Sequence, residues 1–385
     1  MKKIIYLSNT RLPTERAHGI QILKTCEALK SAGFDIELWV ADLKNRLGST
    51  EEIFDFYKIK NRFPIKKLSV ISFLPRSFKL FFYLESFSFL VSAIFMIIKR
   101  KENFYIYTRD EISQFLSFFT KRKVFWEAHM TIRLNFLAKQ RVKKLAGIIA
   151  ISQSLKNLIV QKYNLSVSKI LVAHDAVDLE EFSFFKTKIE ARRILNLPAD
   201  KNIVIYTGGM FKQKGIYTLL KTASLLTDYF FILVGGSPGD ELENAKKFVV
   251  DRSLSNVIFT GYVKHELIKD YFSVADALVI PNSNLDERTS LFTSPLKLFE
   301  YMSSSRPIIA SSTPTILEIL NSGNSFLVKP DNSESLKDGI WEAVRNPQRA
   351  ELMAKNARND VENYTWKKRG EKIFEMITKQ NDKFS

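Results

Sequence analysis

Residues 293–310 read TSPLKLFEYMSSSRPIIA. Thr293 or Ser294 suits a helix N-cap and Pro295 suits the first turn. The spacing predicts a helix over 295–303, with a strand at 307–309. The amides of Leu296 and Lys297 are then free at the helix start. Free amides beside a hydroxyl and a lysine form an anion site. Glu300 follows about one turn later, where a carboxylate can accept hydrogen bonds from paired ribose hydroxyls. Together these groups suit a nucleoside diphosphate. The same residues also fit a plainer reading, an amphipathic helix with Leu296, Leu298, Phe299 and Met302 in a core.

Working outward, the second half alternates short apolar runs with helical patterns. Strands are expected at 203–206, 230–234, 257–259, 277–280, 307–309 and 326–328. Helices are expected at 215–226, 241–250, 265–272, 295–303, 315–320 and 335–345. The first half opens in the same way. A run at 3–7 leads through a polar loop at 8–19 to a helix over 20–32 that ends at Gly33, then to a strand at 36–40. Further strands are expected at 105–107, 124–126, 148–151 and 170–173. This is an α/β chain with two doubly wound, Rossmann-like domains, 1–182 and 189–360, joined through 182–188. The last segment, 361–385, carries a helix at 366–379 with no strand after it, expected to pack back on the first domain.

Composition agrees. At 385 residues, 45% hydrophobic and 26% charged, the chain is long enough for two cores. Its net charge of +17 favours an anionic partner, whether a phosphorylated ligand, a lipid surface or nucleic acid. The single cysteine, Cys26, excludes an internal disulfide framework and suggests a reducing cytoplasm. The apolar run after the basic start MKK is too short for a secretory h-region.

Residues 41–77 are basic and aromatic, with a strand expected at 70–74. The most apolar stretch follows, Leu80–Ile98, with Lys99, Arg100 and Lys101 behind it. It is long enough to span a bilayer. Glu85 interrupts it, however, and a strand of the first sheet follows almost at once. Two readings remain, a helix buried in the domain and a helix lying at a bilayer surface.

Open α/β sheets bind ligands beyond the carboxyl ends of their strands. The candidates there are His18, Gly19, Arg109, Glu127 and His129 in the first domain. In the second they are Gly208, Gly209, Lys212, Lys214, Gly235, Gly236, Tyr262 and residues 294–300. The turn from Thr207 to Gly215 is glycine-rich and lysine-bearing but not a Walker A loop. Gly235 to Gly239 is a second such turn. There is no Asp-x-Asp, and the four histidines are dispersed, so no metal is expected. The first strand-to-helix turn lacks Gly-x-Gly-x-x-Gly, which argues against a nicotinamide dinucleotide. No nucleic-acid module is recognisable, so no nucleic-acid partner is expected.

In combination and in order, these residues resemble the GT-B glycosyltransferases of the family-4 type. The resemblance rests first on Pro281-Asn282 and on Thr293 to Met302. It is supported by the stretches from Pro13 to Gln21, Ile149 to Ser152, Val172 to Asp178, Tyr206 to Gly215 and Phe259 to Val263. It implies two facing domains with a cleft and a retaining transfer of sugar from a nucleotide-sugar donor. The acceptor would be a surface polysaccharide, glycolipid or lipid-linked glycan. The enzyme would be cytoplasmic, with possible peripheral contact to an anionic membrane. The first domain would take the acceptor and the second the donor, and no cofactor is required. By position, Ser294, Leu296 and Lys297 would hold the diphosphate, and Glu300 the ribose. Lys214 would offset phosphate charge, and Gly208 and Gly209 would admit the donor closely. Tyr262 and Val263 would frame the base. His129 would reach the reacting centre, with Gly19 letting the first domain's loop approach. His18, Arg109 and Glu127 are acceptor-side candidates.

Two positions depart from the commoner family pattern. Phe292 stands where a sugar-reading glutamate is usual, and Gly209 where an arginine often lies. Other readings are a GT-B-type sugar-nucleotide epimerase, a catalytically silent nucleotide-sugar-binding protein, and a nucleic-acid binder suggested by the charge.

Overall fold

A computed structural model describes residues 1–43, 50–71, 79–132, 135–183, 185–236 and 239–379. The chain forms two units, Met1–Asp175 with Trp366–Ser385, and Ala176–Thr365. The division thus falls before residue 182, and again just ahead of the last helix.

The first unit carries seven parallel strands: β1 (Lys2–Ser8), β2 (Phe34–Ala41), β3 (Ile65–Leu68), β4 (Phe104–Thr108), β5 (Val124–Ala128), β6 (Gly147–Ala150) and β7 (Ile170–Val172). Their order is β3-β2-β1-β4-β5-β6-β7. The helices are α1 (Ala17–Ser31), α2 (Thr50–Phe56), α3 (Lys79–Ile98), the short α4 (Leu116–Phe119), α5 (Phe136–Lys144) and α6 (Gln153–Tyr163). β5 and β6 are buried along their whole length, as expected for parallel strands covered on both faces. α1 turns Ile22, Leu23, Cys26 and Leu29 inward, at helical spacing.

Three expectations change here. The strand after β2 is Ile65–Leu68, not 70–74, and residues 72–74 lie outside those described. Its lysines suit the edge of the sheet, where outward charge blocks further strand addition. Lys66 lies over the Trp39 ring at 5.8 Å. Second, α1 starts at Ala17, so His18 and Gly19 belong to its first turn rather than to the preceding loop. Third, α3 is not a buried helix. Only a third of its apolar window is covered.

The second unit has six parallel strands: β8 (Asn202–Thr207), β9 (Tyr229–Val234), β10 (Val257–Gly261), β11 (Ala277–Ile280), β12 (Ile308–Ser311) and β13 (Phe326–Val328). They are ordered β10-β9-β8-β11-β12-β13. Its helices are α7 (Lys188–Ile194), α8 (Ile216–Leu225), α9 (Glu241–Asp251), α10 (Ile268–Val274), α11 (Glu287–Leu291), α12 (Leu296–Ser303), α13 (Ser333–Arg345) and α14 (Pro347–Asp360). α14 was not anticipated, although it begins on a proline at N1. The helix expected at 315–320 is a run of turns. There the amides of Leu317 and Leu320 reach four residues back, whereas those of Ile316 and Ile319 reach only three. The final helix, α15 (Trp366–Lys379), belongs to the first unit and lays Ile373 and Ile377 in the core that α1 also fills.

In each sheet the first strand is central and the winding reverses beside it, at β1/β4 and at β8/β11. Those two carboxyl-end crevices are where an open α/β sheet takes a ligand.

Candidate functional site

In the second unit the site is built where α12 meets the end of β8. Lys297 and Tyr301 stand four apart, on one face of α12. Both reach Thr207. Lys297 Nζ donates to the Thr207 carbonyl at 2.8 Å, and the Thr207 amide donates to Tyr301 Oη at 2.7 Å. Lys297 also lies over the Tyr206 ring, 3.6 Å from its centroid. Tyr206 in turn donates to the Gly209 carbonyl at 2.7 Å. The motif Leu-Lys-Leu-Phe-Glu-Tyr therefore clamps the glycine turn of β8 as well as presenting a charge.

Pro295, not Ser294 or Thr293, is the N-cap residue of α12, and no side chain caps it. The first amides of the helix lack intrahelical partners by geometry. Gly215 separates the short turn at 212–214 from α8. Its φ is 75°, and a Cβ there would sit 1.7 Å from the Pro281 carbonyl oxygen. Only glycine lets the Lys214 turn press against the end of β11.

Lys214 and Lys297 form the electrostatic centre. Burial lowers both below the usual lysine range, and Lys214 depresses Lys297 further. Among the described residues neither ammonium has an ion-pair partner. Two desolvated cations in one neighbourhood disfavour each other, and an anion relieves both. Asn282, at the end of β11, is fully buried, and neither polar atom of its amide has a partner. An unpaired buried amide costs about 1–3 kcal/mol.

Glu300 is not an idle carboxylate. Its Oε1 lies 3.1 Å from His265 Nε2, and Glu181 lies 3.1 Å from His265 Nδ1. Burial works against the charged imidazole, but the two carboxylates prevail and push His265 up to about 10. Any ribose held by Glu300 would share it with His265. Tyr262 is exposed and Val263 packs on the core beside it. The amide of Gly235 donates to the Gly261 carbonyl at 2.9 Å, tying the ends of β9 and β10. Gly236 follows, and Ser237 and Pro238 lie outside the described residues. That turn also spells Gly-x-Ser-x-Gly, but α9 starts only at Glu241, whereas a nucleophile elbow turns directly into its helix. Lys212 is exposed, and Phe292 is partly buried just after α11.

The first unit carries a different cluster. Glu127, fully buried at the end of β5, accepts from Gln21 Nε2 and Tyr107 Oη. It also lies 2.8 Å from His129 Nε2 and 3.1 Å from Arg369 Nη2. Burial would raise this carboxyl, but Arg369 and His129 hold it well below the carboxylate range. Arg369, on α15, is itself fastened to the His174 carbonyl and to Thr25 Oγ1, both at 3.0 Å. Arg109 donates to Gln21 Oε1 at 2.7 Å. Burial and the nearby Arg109 push His129 down to about 4, and the same two causes lower His18 to about 4. His129 is therefore neutral near pH 7. Since Glu127 only accepts, His129 Nε2 carries the proton and Nδ1 is left as an acceptor.

Glu127 is thus no exposed contact for an acceptor. It is the buried hub that orients His129. Gly19 has a local reason too: a Cβ there would fall 2.2 Å from Tyr57 Oη, which receives the Thr14 amide at 2.7 Å. Sequence reasoning missed Arg369, Gln21, His265 and Asn282. Asn282 and Gln21 stood inside quoted stretches. The others had no local signal, because their partners are far away in sequence.

Residues 187–360 match the family model described as Glycosyl transferases group 1. An uncharacterized glycosyltransferase of Methanocaldococcus jannaschii is 26% identical over 57% of this chain and 56% of its own length. The O-antigen chain mannosyltransferase RfbU of Salmonella typhimurium is 27% identical over 54% of each chain. The chain thus spans about half the length of the curated relatives it matches. Among solved structures, sucrose-phosphate synthase from Thermosynechococcus elongatus superposes over the whole of both chains with a TM-score of 0.78 at 19% identity. Anabaena HepE in complex with UDP and glucose superposes over 98% of this chain and 100% of its own, at a TM-score of 0.75 and 15% identity. The chain has the GT-B fold, and within its second unit residues 187–360 are similar to the group 1 glycosyl transferases.

Proposed function

We propose that this chain is a retaining glycosyltransferase that moves a sugar from a nucleotide-sugar donor to a polysaccharide, glycolipid or lipid-linked acceptor at the cytoplasmic face of a membrane. The observation that carries the reading is the pair Lys214 and Lys297, desolvated and in no ion pair among the described residues, at the strand ends beside the β8/β11 crevice. The first amides of α12 add further donors. The two lysines, rather than a metal, offset the diphosphate charge. The matches to a mannosyltransferase and to a processive diacylglycerol alpha-glucosyltransferase of Acholeplasma laidlawii favour a sugar donor and a glycan or lipid acceptor.

In the reaction the bond from the anomeric carbon to the phosphate oxygen breaks, and its electron pair stays on that oxygen. Lys214 and Lys297 stabilise the charge that develops there. The acceptor hydroxyl oxygen bonds to the anomeric carbon on the face the diphosphate leaves. Its proton passes to the departing phosphate. Glu300 orients the ribose, and Asn282 offers its unpaired amide to the donor. Neutral His129, with Nδ1 as acceptor, orients a sugar hydroxyl.

The test is a thermal-shift screen with UDP-, GDP- and ADP-sugars on the wild type and on Lys297→Ala and Glu300→Ala. One nucleotide class raises the wild-type melting temperature, and both variants respond more weakly. If no sugar nucleotide raises it, the donor reading fails. Stabilisation without transfer to any acceptor would instead favour a silent binding protein.

A further inference from the structure

α3 supplies no residue to the proposed donor site, and its outer face bears on the membrane location in that reading. The helix carries an apolar stripe at helical spacing: Leu80, Leu84, Phe87, Val91, Phe95 and Ile98, each between 42% and 71% exposed. Phe119 on α4 and Phe136 on α5 are 60% and 74% exposed, and these three helices pack in sequence against one another. α3 is apolar on both sides, with Phe89, Leu90, Ala93 and Ile97 buried opposite that stripe. The covered side also takes in Glu85 and Ser86, each 4% exposed, and Ser86 Oγ accepts from the Asn9 side-chain Nδ2 at 2.9 Å. Leaving the phenylalanines in water while burying a carboxyl is unfavourable unless something covers the outer face.

The surroundings say what kind of cover fits. Lys99 and Lys101 follow the helix, Lys121 follows α4, and Lys143 and Lys144 end α5. All five are exposed, and none makes an ion pair among the described residues. Lys99 and Lys144 rest over Phe95 and Phe118, at 3.9 and 4.9 Å from the ring centroids, with their charges at the edge of the apolar face. A second copy would set these lysines against their own kind on a chain of net charge +17. An anionic monolayer offers acyl chains to the stripe and headgroups to the lysines. The helix does not cross the bilayer, because its inner side packs on β3 and α4 and the chain re-enters the same sheet at β4.

We infer that the outer face of α3, extended by Phe119 and Phe136, is a monotopic docking surface for an anionic lipid leaflet. The full chain, without nucleotide, is floated on a density gradient with vesicles of phosphatidylcholine alone or of phosphatidylcholine with an equal part of phosphatidylglycerol. It floats with the anionic vesicles and stays down with the neutral ones. Phe87→Ser with Val91→Ser and Phe95→Ser lowers vesicle affinity by at least about tenfold, with an unchanged melting temperature. Lys121→Glu, Lys143→Glu and Lys144→Glu each lower it by about fivefold or more. A Phe87→Trp reporter shifts its emission to the blue on anionic vesicles. The inference is overturned if the wild type fails to float, if the triple variant floats as well as the wild type, or if the reporter does not shift. It is equally overturned if the triple variant merely disperses a dimer that ignores vesicles. Sugar-nucleotide stabilisation is read separately, so loss of either result leaves the other intact.

Discussion

The two units hold buried charge in opposite ways. In the first, one carboxylate, Glu127, is ringed by Gln21, Tyr107, His129 and Arg369, so its acceptor capacity is filled from within the fold. In the second, two ammoniums, Lys214 and Lys297, sit desolvated, with Asp286 and Glu300 acting on them only from beyond ion-pair distance among the described residues. A charge-complete cluster fixes geometry, and a charge-deficient one awaits a ligand. The first should be costly to disturb in the free protein. The second should be costly to disturb only when its anion is bound.

The largest effect is expected from Arg369→Met. It leaves Glu127 buried without its main counter-charge, and breaking such a pair costs about 3–5 kcal/mol. Urea unfolding should place that loss in the first unit. Adding Glu127→Gln should recover part of it, because a neutral amide needs no counter-ion. If Arg369→Met unfolds like the wild type, the hub reading is wrong. Activity in the double variant should fall all the same, since a glutamine amide can donate as well as accept and no longer fixes the His129 tautomer.

Lys214→Met probes the opposite regime. Free stability should stay within about 0.5 kcal/mol or rise, as removal of an unpaired desolvated charge carries little penalty. Affinity for a nucleoside diphosphate should drop about 10- to 100-fold, the worth of a charge-assisted hydrogen bond. Isothermal titration separates the two outcomes. A large loss of free stability with unchanged affinity would contradict the comparison. Asn282→Ala is a smaller version. Losing an amide without partners roughly offsets losing its packing, so free stability should move by less than about 1 kcal/mol. The preference for a nucleotide sugar over the bare diphosphate should narrow about tenfold if Asn282 meets the sugar, and should not change if it meets the phosphates.

This contrast also marks what was legible in the sequence. The strands of both sheets stood out as continuous apolar runs, because parallel strands are covered on both faces. The α12 motif was readable because its Lys297, Glu300 and Tyr301 lie within two turns of one helix. The Glu127 hub was only half visible. Glu127 and His129 are adjacent on one strand end, but Gln21 comes from α1 and Arg369 from the far end of the chain. β3 was misplaced because an edge strand with Lys66 and Lys67 lacks the apolar signature of its neighbours. The exposure of α3 could not be read from composition, since a helix apolar all round is equally consistent with a core.

The smallest effect is a pair of opposite pH dependences. His129 is lowered to about 4 by burial and Arg109, so the folded first unit binds fewer protons there than the unfolded chain. Its contribution is present above about 6.5 and is lost as pH falls towards 4. His265 is raised to about 10 by Glu181 and Glu300, so the folded second unit binds more. Its contribution is complete below about 6.5 and is lost as pH rises through 10. The slope from one such group is at most about 1.4 kcal/mol per pH unit, reduced by solvent at a side chain 32% exposed. Urea unfolding of the wild type against His265→Asn, at pH 7 and pH 9, isolates the second case. The stability gap should shrink as pH rises, while the gap to His129→Asn should shrink only below about pH 6. Parallel curves for His265→Asn and the wild type would mean that Glu300 is not holding a charged imidazole. It would then be free for a ribose without displacing anything.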